Sequence, residues 1–302
     1  MFPSDVVPAV VRVPFVTGRP DAPLRVPAGL LAVAAIFSVQ FGNAIVGSMF
    51  DRVGPFGAAA LRLLCGALIL VAIVRPDVRD WPRQTWLSVV LLGLGLGGMN
   101  LFIYLAIDQI PLGIAVTIEL MGPLAVAAAG SRRLLDGAWV LLAVVGILLL
   151  GTHSGDGAGV TLVGAGFAAV AATCWAVYIL ASSKLGVRVP GVDGLVTAMV
   201  VAAVVIAPVG AFQAVPAVVD DPSLLAAFAG VAILTSAIPY ALEFMALKRM
   251  STRVFGVLSS LGPAVAALAG LVVLGQSFDG LQLLAMALVV AASAGVVATA
   301  GR

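Results

Sequence analysis

Ten runs of apolar residues, each about long enough to cross a bilayer, leave this 302-residue chain almost one architecture. They fall at roughly 26–49, 56–74, 85–107, 111–130, 134–151, 159–182, 192–213, 224–247, 253–274 and 280–300. At 1.5 Å rise per residue, about 20 residues cover a hydrocarbon layer of ~30 Å, whereas a membrane β-strand needs only about 9–11. Inside lipid every backbone amide must find its partner within the protein, and runs of this length do so as helices. Composition agrees, with 62% hydrophobic and 10% charged residues, against about 25% charged in soluble domains. The expected fold class is an all-α membrane protein with ten transmembrane helices.

The basic residues orient those helices. All but two of the 16 Lys and Arg residues fall at the chain ends or in every second loop: Arg12, Arg19, Arg25, Arg75, Arg79, Arg83, Arg132, Arg133, Lys184, Arg188, Lys248, Arg249, Arg253 and Arg302. The opposite loops hold Asp51, Arg52, Asp108, His153, Asp156, Asp220, Asp221 and Asp279. Cationic loops stay on the cytoplasmic side, so both termini are expected there, in a multi-pass protein of the cytoplasmic (inner) membrane. Residues 1–25 lack an apolar core and read as a cytoplasmic tail rather than a signal peptide. A net charge of +2, scattered over short loops, gives no footprint for nucleic acid.

A polar Gly/Ser/Asp stretch at 152–158 reads as a linker between two five-span blocks, 26–151 and 159–302. Five being odd, the second block enters the membrane inverted relative to the first. A shift of 140 residues places Ala106 on Ala246, Gly122 on Gly262, Pro123 on Pro263, Ala127 on Ala267 and Gly130 on Gly270. Two inverted five-helix repeats are therefore expected, a plan that puts a transporter's substrate site near the midplane between the halves. Pro123 and Pro263 are expected to break their helices and to free the carbonyls of Glu119 and Ser259, four residues earlier. Backbone opened at membrane depth must meet protein groups or line a wet cavity.

Three ionisable side chains lie within spans. Arg62 is seven residues past Pro55, and Glu119 eight past Pro111, so each sits about 10–12 Å from the same face at helical rise and the two could meet. An unpaired Arg at a helix centre costs roughly 2.5–3.5 kcal/mol on insertion scales, which argues for a paired or hydrated place inside the bundle. Glu243, shortly before Lys248 and Arg249, reads as an interfacial carboxylate. Gln40, Asn43, Asn100, Tyr104, Trp175, Tyr178, Tyr240 and Ser259 complete a candidate cavity lining. Gln40 and Asn43 share a helix face, as do Trp175 and Tyr178. Each polar member has an ordinary alternative as helix-to-helix glue.

Other features point away from chemistry. The GLGLGG run at 93–98 has the spacing of a dinucleotide fingerprint, but that motif needs a βαβ unit, and here it lies in a continuous apolar run. Close helix packing is the expectation. Cys65 and Cys174 lie singly within apolar runs, and His153 is the sole histidine. No metal, no cofactor and no enzymatic nucleophile are expected.

The chain resembles the drug/metabolite transporter superfamily with its EamA-type domains. The likeness is carried by residues 60–64 around Arg62, Gly97 to Asn100, PLGIAV at 111–116 through Glu119 to GPLAV at 122–126, SRR at 131–133, CWAVYIL at 174–180 and PYALE at 239–243. It spans about 26–297, and the segment around Glu119 is its most specific part. The resemblance implies proton-linked efflux of small neutral amino acids of the threonine and homoserine kind, by alternating access. Arg62 would then take the substrate carboxylate, and Glu119 the ammonium or the exchanged proton, with desolvation and the Arg62 charge acting oppositely on its proton affinity. Many family members carry Glu before the ninth-span proline and again just after that span. This chain has Gly262 and Gln276 there, so the coupling role would fall on Glu119. Efflux of drugs or other metabolites is the alternative within the superfamily, and a membrane scaffold or intramembrane enzyme is the alternative outside it.

Overall fold

Each of the ten runs is helical in the computed structural model, which describes residues 26–129, 134–152, 160–186, 189, 192–247, 249–250 and 252–299. In chain order the elements are α1 (Ala28–Gly47), α2 (Phe50–Val74), α3 (Arg83–Ile107), α4 (Leu112–Glu119), α5 (Met121–Ala129), α6 (Leu134–Thr152) and α7 (Leu162–Gly186). They continue with α8 (Asp193–Asp220), α9 (Ser223–Ala232), a π-helical turn (Ile233–Ala237), α10 (Ile238–Leu247), α11 (Thr252–Ser259), α12 (Gly262–Leu274) and α13 (Gly280–Thr299). Among the described residues six segments are long and apolar enough to cross a membrane: α1, α2, α3, α7, α8 and Val257–Leu274, which joins α11 to α12. Four shorter apolar helices, 112–126, 137–150, 223–237 and 280–296, fall on the other four runs. The tail at 1–25 lies outside the described residues, as does the linker after Thr152, which ends α6.

Two boundaries differ from the sequence reading. The stretch 50–55, expected as a loop, is helical, because Gly54 takes a left-handed backbone (φ 64°) and lets α2 restart at Pro55 after a kink. The kink frees the amide of Gly57, which donates to Gln213 Oε1 at 3.0 Å. The second difference is in the partner helix, since α8 runs on to Asp220, past the expected end at Gln213. On the same end of the bundle Arg52 pairs with Asp221. Gln276 accepts the N–H of Leu112 at the start of α4 at 3.0 Å.

Small residues set the packing. Lipid is as apolar as leucine, so helices associate here through close backbone approach rather than through exclusion of water. Gly57 of α2 sits against the backbone of Ala214 in α8, and Gly210 of α8 against Phe56. The 93–98 run packs α3 onto α7 and α8: Gly95 and Gly98 face Cys174, and Gly97 faces Ala202 and Ile206. Leu68, Leu141, Leu148, Val204 and Phe212 point outward and are exposed, a surface suited to hydrocarbon.

Candidate functional site

Three interruptions converge on one cavity. Between α4 and α5 the helix breaks at Leu120, three residues before Pro123. Between α11 and α12 it breaks at Ser260 and Leu261, whose amides bond three residues back, to Val257 and Leu258, instead of four. Pro263 then sits in the first turn of α12, where its missing N–H costs nothing. The third interruption, the π turn at Ile233–Ala237, was not foreseen. It carries Thr235 and Ser236, both buried.

The cavity measures about 350 Å³, within the range of roughly 300–1,000 Å³ usual for small-molecule sites. Of the expected site residues, Gln40, Asn43, Arg62, Asn100, Glu119, Trp175, Tyr178, Ser259 and Pro263 line it. Tyr104 does not; it is fully buried and its hydroxyl accepts Arg62 Nη1 at 2.9 Å, with the guanidinium 5.4 Å from the ring centre. Pro123 is not part of the lining, and the side chain of Tyr240 lies outside the described residues. Several polar groups are satisfied locally. Asn100 donates to Leu96 O at 2.8 Å and Ser259 to Phe255 O at 3.0 Å, each within its own helix, while Asn43 donates weakly to Gln40 at 3.4 Å.

Arg62 and Glu119 reach the same cavity without forming an ion pair with each other. Arg62 is held by neutral oxygens instead: Nε donates to Thr235 Oγ1 at 3.0 Å, and Nη1 to Asn43 Oδ1 at 3.3 Å as well as to Tyr104. Glu119 is the last residue of α4, 8% exposed, and has no hydrogen bond among the described residues. The expected meeting of the two side chains fails because three nearer oxygens already engage the guanidinium. What results is a cavity wall that carries the Arg62 guanidinium and, without a direct bond to it, the Glu119 carboxyl group.

Comparison with known proteins decides the family. A family model described as "EamA-like transporter family" matches residues 162–298. The protein named threonine/homoserine exporter RhtA in Salmonella typhimurium strain LT2 is 42% identical over 273 residues, covering 90% of this chain and 92% of that one. Its namesake in Escherichia coli K12 is 41% identical with the same coverage. The chain belongs to the EamA-like transporter family. It is accordingly a multi-pass membrane transporter of the drug/metabolite superfamily and not an enzyme. A solved crystal structure is similar at a TM-score of 0.58 and 26% identity, covering 90% of this chain and 96% of that one.

In this EamA-like transporter two features of the cavity escaped the sequence reading. Glu243, expected at the membrane interface, lines the cavity with Glu119. The reason is that α10 follows a π turn, which rotates the rest of the span relative to a continuous helix. Thr235 and Ser236 also line it. Hydroxyl residues in an apolar run carry little signal, since they commonly bond to their own helix.

Proposed function

We propose that this transporter exports small neutral amino acids, threonine and homoserine among them, by alternating access in exchange for protons. The observation that carries the reading is the pair of unmatched charged side chains, Arg62 and Glu119, on the wall of one cavity of about 350 Å³. A zwitterionic amino acid has one group for each. Its carboxylate meets the guanidinium, and its ammonium, or in its absence a proton, meets Glu119. Gln40, Asn43, Asn100 and Ser259 offer polar contacts, with Trp175 and Tyr178 as the aromatic wall. The relatives named threonine/homoserine exporters support the choice of substrate.

The two five-span blocks, 26–151 and 159–302, are read as inverted repeats that rock around this cavity. Helix contacts that recur under a shift of five spans support it. Span one (α1) packs on spans eight (α10) and nine (α12), while span six (α7) packs on spans three (α3) and four (α4 and α5). Span two packs on seven (α2 on α8), four on nine (α4 on α12) and five on ten (α6 on α13). The end carrying Arg75, Arg79, Arg83, Lys184 and Arg249 is assigned to the cytoplasm, with both termini, on the distribution of basic residues.

The test is uptake into inside-out membrane vesicles with an imposed acid-inside gradient, using labelled threonine and homoserine beside a cationic dye. Gradient-dependent amino-acid accumulation that both Glu119→Gln and Arg62→Ala reduce is the expected result. Dye movement without amino-acid movement would reassign the cavity to drug efflux, and movement of neither would overturn both.

A further inference from the structure

The hydrogen bonds of Arg62 account for three of its five N–H groups. Nε spends its one hydrogen on Thr235, and Nη1 directs both of its own, to Tyr104 at 2.9 Å and to Asn43 at 3.3 Å. Nη2 donates to no protein group among the described residues, so two donors are left, both on one nitrogen. A carboxylate binds an arginine best through two parallel bonds to two nitrogens. Here each nitrogen beside Nη2 is already engaged, so one existing bond must yield.

The geometry says which one. Thr235 Oγ1 passes its own hydrogen to Val231 O at 2.8 Å, so toward Arg62 it acts as an acceptor, and the chain Arg62 to Thr235 to Val231 has a fixed polarity. The π turn that carries Thr235 is itself anchored: Ser38 Oγ donates to Leu234 O at 2.6 Å. Gly42 of α1 lies so close to the Thr235 methyl that any side chain at position 42 would collide with it. Asn43, by contrast, holds Nη1 through the longest of the three bonds, and its amide makes only the weak 3.4 Å contact to Gln40.

We propose that Thr235, carried by the π turn, is a positioning residue that fixes the Arg62 guanidinium with Nη2 uncommitted, and that a substrate carboxylate docks on Nη1 and Nη2 by displacing Asn43. The inference rests on the amino-acid export reading and adds to it the mode of carboxylate recognition. Thr235 and Tyr104 stay bonded throughout, which keeps the guanidinium plane from turning when the substrate arrives. Asn43, once released, is free to receive the substrate's other polar groups.

The experiment is threonine transport by the purified full chain in proteoliposomes, with competition by threonine methyl ester, which lacks the carboxylate charge. Thr235→Val keeps the shape and removes the acceptor; it is expected to raise the KM for threonine about ten-fold, the scale of one lost hydrogen bond to a charged group, with a smaller change in maximal rate. Thr235→Ser is expected to restore the wild-type KM, and inhibition by the ester to be unchanged in either variant. Tyr104→Phe provides an independent loss of a fixed acceptor, with a KM rise in the same direction. An unchanged KM in Thr235→Val, or an equal rise in Thr235→Ser, overturns the inference while leaving amino-acid export intact. A wild-type protein that moves no threonine overturns the export reading, and this inference with it.

Discussion

The two broken spans stand at matching positions and carry opposite chemistry. In the fourth span the residue before the break is Glu119, buried and without a hydrogen bond among the described residues. In the ninth it is Ser259, whose hydroxyl is returned to its own helix at Phe255. The breaks lie two or three residues before a proline, and residues at or beside each of them line the cavity. The glycines next to those prolines differ just as sharply. A side-chain carbon on Gly122 would run into the backbone of Ala172 in α7, whereas one on Gly262 would meet only Gln40 Nε2 at 3.8 Å. The same backbone device thus serves a packed, charge-bearing wall on one side and an open, neutral wall on the other. A shared backbone break does not imply a shared role for the side chains beside it.

The largest expected effect comes from removing the charge that distinguishes the two. Glu119→Gln should lower gradient-driven export at least about ten-fold and flatten its dependence on pH, since a group central to proton transfer or charge pairing typically contributes on that scale or more. Initial rates in vesicles across a pH series would check this, and normal, pH-dependent export by the variant would remove Glu119 from coupling. Next is Gly122→Ala, where overpacking should cost about 1–3 kcal/mol and lower the melting temperature in detergent, while Gly262→Ala leaves it unchanged. Equal melting shifts in both would mean that the α5 to α7 contact is not tighter than its counterpart.

Smaller effects refine the picture of the cavity. Glu243→Gln should raise the substrate KM by only about three-fold and keep the pH dependence, because Glu243 takes no part in the hydrogen bonds that hold Arg62. Loss of pH dependence in this variant would transfer the coupling role from Glu119 to it. The least change is expected for Ser259→Ala, less than about two-fold in rate, since its hydroxyl is already bonded at 3.0 Å to the helix that carries it.

Hydropathy made the ten helical runs legible, and proline made two of the three breaks legible, because both signals are local. Nine of the twelve expected site residues reached the cavity wall. They are polar or aromatic groups in apolar runs, or a proline that breaks one, and membrane helices turn such features inward. The π turn was invisible, since nothing in the sequence ILTSA departs from an ordinary helix; its extra residue depends on Ser38 and Gly42 from another span. With it went Thr235, Ser236 and the true place of Glu243. Gly54 was readable as a flexible point, but not as a kink that extends α2 to Phe50, which relies on Gln213 from α8.

By itself, then, the sequence determined that this protein lives in a membrane, how many apolar helices it has, where prolines interrupt them and which few charges lie within them. Those follow from the cost of exposing backbone and charge to hydrocarbon, which each segment meets or fails on its own. Only the tertiary structure decided how the charges are partnered. Arg62 is bonded to Thr235, Asn43 and Tyr104 rather than to Glu119 because the guanidinium takes the oxygens that three other helical segments bring within about 3 Å.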